Sequence, residues 1–294
     1  MNTFSAIENI IIVLNNTALI LFASLATAIP LQAGLFNLGV GAQLVVGGVV
    51  ASLIVSLQGM PWPLTLFFAL SGGVVTAASL GLIPALLKAR HGTHEAVSSL
   101  ILNCAVFCLV QLPVKEMPKA TLTALLPGIA IKDGCVLSPA IFFALALCAF
   151  YGWWMKNTIA GYEIRVLSKN HNAARYGGID PQRYWILLML VAGMVAGLGG
   201  ALDITGSGMA ATFDLYSGYG YDGFTAAIIS QGCPISLAVS SLFLGILRSA
   251  LQFLSIDPDY SSSMILIIEA MLVFFILSGK QFVRAWFDKK SVKE

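Results

Sequence analysis

The side chains that could do chemistry in this 294-residue chain are few and scattered. The nearest thing to a metal-ligating cluster is His91-Gly-Thr-His94-Glu95. Zinc needs three or four protein ligands in fixed geometry, and this stretch offers no third ligand on a clear helix. It reads as a solvated turn. The only other histidine, His171, stands in a polar loop. Cys104, Cys108, Cys135, Cys148 and Cys233 show neither metal spacing nor a disulfide framework. No serine sits in a nucleophile-elbow pattern, and no histidine is placed to activate one. Ser278-Gly279-Lys280 has the lysine of a phosphate loop without its cradling glycines. Glu269 is the clearest acid within an apolar run; it fits a proton relay, or a carboxylate that caps or pairs inside a bundle. No catalytic residue, metal or cofactor is assigned, and any ATP that powers this protein is bound by another chain.

The elements around these residues explain the sparseness. Hydrophobic residues make up 58% of the chain and charged ones 10%, against roughly 25% charged in soluble domains. Mean hydropathy is +0.87. Apolar runs long enough to cross about 30 Å of hydrocarbon recur throughout. The net charge of +2 points to no nucleic-acid partner. The expected fold is all-α: one polytopic transmembrane helix bundle over residues 1–294, with about 8–10 membrane segments. The first nine residues carry Glu8 and no basic residue, unlike a cleaved signal peptide, so the first run reads as a retained span.

The expected spans are 10–29, 35–57, 64–87, 96–112, 136–155, 184–205, 235–254 and 264–278, with a short apolar piece at 223–230. Basic residues mark the cytoplasmic side. Lys88 and Arg90 place the loop around His91 inside, and the tail with Lys280, Arg284, Lys289, Lys290 and Lys293 is inside too. Loop 206–222 has Asp214 and Asp222 but no lysine or arginine, so it is outside. Parity puts loop 114–135 outside despite Lys115, Lys119 and Lys132. Parity also makes 223–230 a re-entrant element. It enters from outside at Gly223, breaks near Gln231-Gly232-Cys-Pro234, and returns through 235–254. Non-helical backbone at membrane depth must be packed in protein or line a watery path, and transporters often build their paths from discontinuous helices. Gly193 and Gly197, with Gly34, Gly39, Gly41, Gly47 and Gly48, have spacings that allow close helix packing.

Between Lys156 and Arg183 a long polar loop interrupts the bundle, carrying Arg165, Lys169 and Arg175 against only Glu163 and Asp180. Such a loop is usually functional. On its own chemistry it suits a protein docking surface or a rest on anionic lipid headgroups.

Four segments, in order, resemble permease subunits of ABC importers, in the branch shared by ribose, simple-sugar and nucleoside systems and, more distantly, branched-chain amino acids. They are GYEIRVLSKNHNAARYGGI at 161–179, GLFNLGVGAQL at 34–44, HEAVSSLILN at 94–103, and GYGYDGF at 218–224 with GCP at 232–234. The chain departs from the second-span motif at Gly41 and Ala42, where an acidic residue and glycine are common. The stretch 226–231 is also less rich in Gly and Leu than its relatives.

The resemblance implies that loop 156–183 is a cytoplasmic coupling loop whose short helix fits a cleft on an ABC ATPase. Its residues suit that role. Asn170 or Asn172 caps a helix, Ala173 and Ala174 favour one, and Gly178 ends it. Arg165 and Arg175, with Glu163, offer charged contacts to the partner. The implied partners are an ATPase subunit, whose two domains can be fused in one polypeptide, and a second, homologous permease chain. An extracellular or periplasmic solute-binding protein would deliver a nucleoside or simple sugar to an acidic outer face around Asp203, Asp214 and Asp222. The implied location is a bacterial cell membrane, inner or plasma, with the bilayer around the chain and its C-terminus in the cytoplasm. Asn37, Gln43, Ser98, Ser99 and Asn103 are candidates for the translocation path, since unpaired amides in lipid are costly; interhelical hydrogen bonding suits them equally. The alternative is a stand-alone secondary transporter or channel, for which Glu269 would be the coupling-ion candidate.

Overall fold

Backbone in hydrocarbon must satisfy its own hydrogen bonds, and long apolar runs therefore fold as helices. The computed structural model describes residues 3–57, 60–116, 126, 129–132, 135–207, 218–254, 267 and 271. Within them are ten helices: α1 (Thr3–Leu31), α2 (Val40–Ser56), α3 (Trp62–His91), α4 (Glu95–Glu116), α5 (Ala140–Asn157), α6 (Ile159–Lys169), α7 (His171–Tyr176), α8 (Pro181–Ser207), α9 (Tyr219–Ser230) and α10 (Pro234–Leu254). The stretches Ile7–Leu31, Trp62–His91, Pro181–Gly206 and Pro234–Phe253 are long and apolar enough to cross a membrane. The expected all-α, multi-pass bundle is what forms. Glu269, span 264–278 apart from residues 267 and 271, Asp214, Lys119 and the basic tail lie outside the described residues.

α2, α3 and α8 pack backbone to backbone because glycines face one another. A Cβ on Gly47 would stand 2.5 Å from the Gly197 carbonyl oxygen, and one on Gly193 would stand 2.5 Å from that of Ala77. The Gly193–Gly197 spacing thus serves the α3–α8 contact. α1 runs between this trio and a second group made of α5, α9 and α10.

Two features differ from the sequence reading. Span 35–57 is not one helix: α2 begins only at Val40, and the stretch before it, in which Leu35, Asn37 and Gly39 are buried, is non-helical, with Gly34 at φ +76. Side chains supply what a helix would have supplied. Asn37 Oδ1 accepts from the Gly39 N–H at 3.1 Å, and Ser99 Oγ accepts from the Leu38 N–H at 3.1 Å. Secondly, loop 114–135 holds one strand and the start of another: β1 (Ile129–Lys132) pairs antiparallel with β2 (Cys135–Leu137), Ile129 opposite Leu137. Asp133-Gly134 between them is a dipeptide that tight hairpins favour. Asn15 of α1 bonds this hairpin through its amide, donating to the Val136 carbonyl and accepting from the Ser138 N–H, both at 3.0 Å.

The break at 231–233 is present. α9 ends at Ser230, Gln231 (φ 52) and Gly232 (φ 79) turn left-handed, and Pro234 opens α10. α9 starts at Tyr219, so the short helix has 12 residues. α10 runs back along it, with Ser240 Oγ donating to the Ala226 carbonyl at 3.2 Å. The turn lies where α1 and α5 end: a Cβ on Gly232 would collide with the Gln32 side chain, and Gly152 makes room for Pro234. Its carbonyls are satisfied by α5. Tyr151 donates to Gly232 at 3.4 Å, and Cys148 donates to Pro234 at 3.3 Å.

Candidate functional site

The 156–183 loop folds into two short helices. Thr158 caps α6, its Oγ1 accepting from the Gly161 N–H at 3.1 Å. Ile164 and Leu167 of α6 are buried, while Tyr162, Arg165 and Lys169 face out. Asn170 is the hinge between α6 and α7. Its backbone closes α6, and its Oδ1 accepts from the Asn172 N–H at 2.9 Å. Ala173 and Ala174 lie in α7, Ala174 fully buried. Gly178, left-handed at φ +84, follows the helix, and the Ile179 N–H returns to the Ala174 carbonyl at 3.0 Å. The result is a small knob with Tyr176 at its tip, 95% exposed.

The charged candidates divide between bracing and display. Arg165 donates to the Met155 carbonyl at the end of α5, and Glu163 accepts from the Tyr184 hydroxyl of α8. Both therefore hold the loop to the bundle. Arg175 faces outward and lines a cleft of about 390 Å³ with Gly178, Ile179, Asp180 and Trp185. Trp185 also lies 4.9 Å beneath the Lys88 ammonium, which pairs with Glu95 at 2.5 Å. Glu95 is thus an ion-pair partner between α3 and α4, while His91 and His94 are exposed.

Four of the five polar path candidates come together at the start of α2. Asn37 Nδ2 donates to Gln43 Oε1 at 3.1 Å, Ser99 receives the Leu38 N–H, and Asn103 Oδ1 receives the Ala42 N–H at 2.7 Å. All four are buried. Ser98 is apart from them, its hydroxyl donating to its own helix at His94 and Glu95. Of the broken-segment residues, Gly223 packs on Ala23 and Ser24 of α1, while Gln231, Gly232 and Pro234 make the turn.

Sequence reasoning missed a buried ionic cluster. Arg248 of α10 pairs with Asp222 of α9 at 2.6 Å and stacks on the Tyr219 ring at 3.8 Å. The Tyr219 hydroxyl donates to Asn16 Oδ1 at 2.6 Å, and Asn16 Nδ2 donates to Ser249 and Gln252 of α10. Asp222 and Asp203 are both buried. The expected acidic outer face therefore does not include them: Asp222 neutralises an arginine instead. The available signal was Arg248 itself, a charge inside an apolar run.

A bundle of long apolar helices, one hairpin of unequal helices and a projecting polar knob have the build of a multi-pass membrane protein. The family model described as branched-chain amino acid transport system / permease component matches residues 9–276, and the chain belongs to that family. It is 27% identical to the guanosine ABC transporter permease protein NupP of Bacillus subtilis, over 88% of this chain and 78% of that protein. It is 25% identical to the nucleoside ABC transporter permease protein NupB of Lactococcus lactis, over 87% and 76%. Its identity to the glucose ABC transporter permease protein TsgB13 of Haloferax volcanii is 24%, over 90% and 75%.

Proposed function

We propose that this chain is a permease subunit of an ATP-driven ABC importer whose cargo is a nucleoside. The two relatives at 27% and 25% identity are guanosine and nucleoside permeases, and this carries the choice over a sugar. The chain forms one side of the translocation path, and a second, homologous permease chain forms the other. A solute-binding protein delivers cargo from outside, and the chain itself hydrolyses nothing. The α6–α7 knob lies in the cytoplasm, as does the C-terminus, and seats in the ATPase partner. What supports this is its build: Ala174 anchors a short helix that thrusts Arg175 and Tyr176 outward, and Arg165 and Glu163 tie its base to α5 and α8. Rigid linkage of that kind transmits closure of a partner to the bundle.

Cysteine cross-linking tests the docking. With Tyr176→Cys in a background without other cysteines, a bifunctional reagent should join the chain to its ATPase from the cytoplasmic side. A residue 176 labelled only from outside would overturn both orientation and docking.

A further inference from the structure

α5 and α8 both pack along α1 but touch each other far less. The gap between them is a cavity of about 290 Å³. Leu25 and Ile29 of α1 form its floor, Leu147 and Phe150 of α5 one side, and Val191 and Val195 of α8 the other. Its one hydroxyl, on Tyr151, is turned to the Gly232 carbonyl. A buried water needs about two to four polar partners, so this wall leaves the space to hydrocarbon.

A second cavity, of about 360 Å³, continues along the same stripe of α8. Tyr184, Leu187, Val191 and Val195 recur every three or four residues and so share one helix face. The first two line the second cavity and the last two line the first. Around the second cavity stand Glu163 of α6, Asp180 and Arg183. Arg183 pairs with Asp180 at 3.2 Å, yet its side chain is 86% exposed and within reach of an anion from outside. Trp153 and Tyr162, both exposed, stand at this end, and such aromatic side chains concentrate at headgroup depth. Tyr184 to Val195 rises roughly 16 Å at 1.5 Å per residue, about half of a 30 Å hydrocarbon core. The groove has the length of one leaflet, charged at its mouth and apolar below.

We infer that this groove holds one phospholipid of the leaflet on the knob's side. Its acyl chain lies between α5 and α8, and its headgroup lies between α6 and the start of α8. The mouth names the headgroup. Arg183 offers N–H donors to a phosphate, while Glu163 and Asp180 repel a purely anionic group and attract an ammonium. Phosphatidylethanolamine carries both signs, and its ammonium has N–H bonds to give the carboxylates.

A photoactivatable phosphatidylethanolamine, with a diazirine midway along one acyl chain, tests this. It is added to phosphatidylglycerol proteoliposomes holding this chain with its proposed partner subunits, and labelled peptides are mapped by mass spectrometry after irradiation. Label should concentrate on 147–154 and 187–195 rather than on the exposed face of α3 around Phe67 and Val75. The same diazirine on phosphatidylglycerol should label those two peptides several-fold less. Arg183→Gln, at an exposed position, should cut labelling by the ethanolamine probe roughly two- to fivefold, with subunit yield unchanged. Val191→Phe fills the apolar cavity and should remove the groove label while label on other faces persists. Label spread evenly over α3 and the groove would overturn the site, as would undiminished labelling in Val191→Phe. So would groove peptides that neither probe labels, the result expected if the second permease chain covers them. Equal labelling by the two probes, or an unaltered signal in Arg183→Gln, would overturn the headgroup assignment.

Discussion

Arg248 Nη1 lies 2.6 Å from Asp222 Oδ2, with side chains only 14% and 9% exposed, and this contact ties the C-terminal half of α10 to the first turn of α9. The pair closes a hairpin whose other end is the Gln231–Gly232 turn. A guanidinium at a helix N-terminus opposes the helix dipole, so the Asp222 carboxylate is what makes Arg248 tolerable there.

Removing one partner strands the other. Asp222→Asn should lower stability by about 3–5 kcal/mol, the usual cost of an orphaned buried charge. The double change Asp222→Leu with Arg248→Met should cost clearly less than either single change. Thermal unfolding of the purified protein in detergent measures both; additive losses would show that the two residues do not act as a pair.

Gly197 should tolerate nothing larger. A Cβ there would stand 2.5 Å from the Gly73 carbonyl oxygen of α3. Gly197→Val must force α8 and α3 apart, a loss of about 1–3 kcal/mol for overpacking. Exposed positions such as Val75 of α3 should accept the same size change with little effect. A wild-type melting temperature for Gly197→Val would contradict the packing.

At the turn, Gly232→Val faces two costs. The residue sits at φ +79, where a β-branched side chain is strained, and its Cβ would collide with Gln32. Because the turn rests on α5 and Gln32 at the end of α1, assembly should suffer along with transport. Membrane yield and melting temperature should both fall, and Gly232→Ala should fall less far. An unchanged yield with lost transport would place the turn on the path instead.

On the projecting knob, Arg175→Glu and Arg165→Glu should behave differently. Among the described residues Arg175 makes no bracing contact comparable to the Arg165–Met155 bond, so its reversal should reduce cargo-stimulated ATP hydrolysis roughly tenfold or more with the subunit still inserted. Arg165→Glu also removes the tie to α5, and should lower subunit yield as well. ATPase assays alongside quantitative blots of the membrane fraction separate the two.

Much of this architecture was legible because hydrocarbon permits few backbone solutions. Hydropathy alone located the long helices. Gly232 and Pro234 located the break, and Asn170 and Gly178 marked the ends of the short loop helix. The non-helical 34–39 stretch was not legible as such, because an apolar window reads the same whether buried backbone is helical or extended. Asn37, Ser99 and Asn103 reveal it only once their partners across 61 residues or fewer are known. The Arg248–Asp222 pair is hidden for a similar reason: its members are 26 residues apart and meet only when the hairpin folds back. The β1–β2 hairpin did leave a local sign in Asp133-Gly134, flanked by strands too short to stand out.

ATP dependence of uptake tests the central claim most directly. Proteoliposomes holding this chain with the proposed second permease, ATPase and binding protein should accumulate radiolabelled guanosine only when ATP is supplied to the ATPase side. Ion gradients should neither drive that uptake nor abolish it. Guanosine accumulation by this chain alone, driven by a proton or sodium gradient without ATP, would contradict the account and establish a stand-alone secondary transporter.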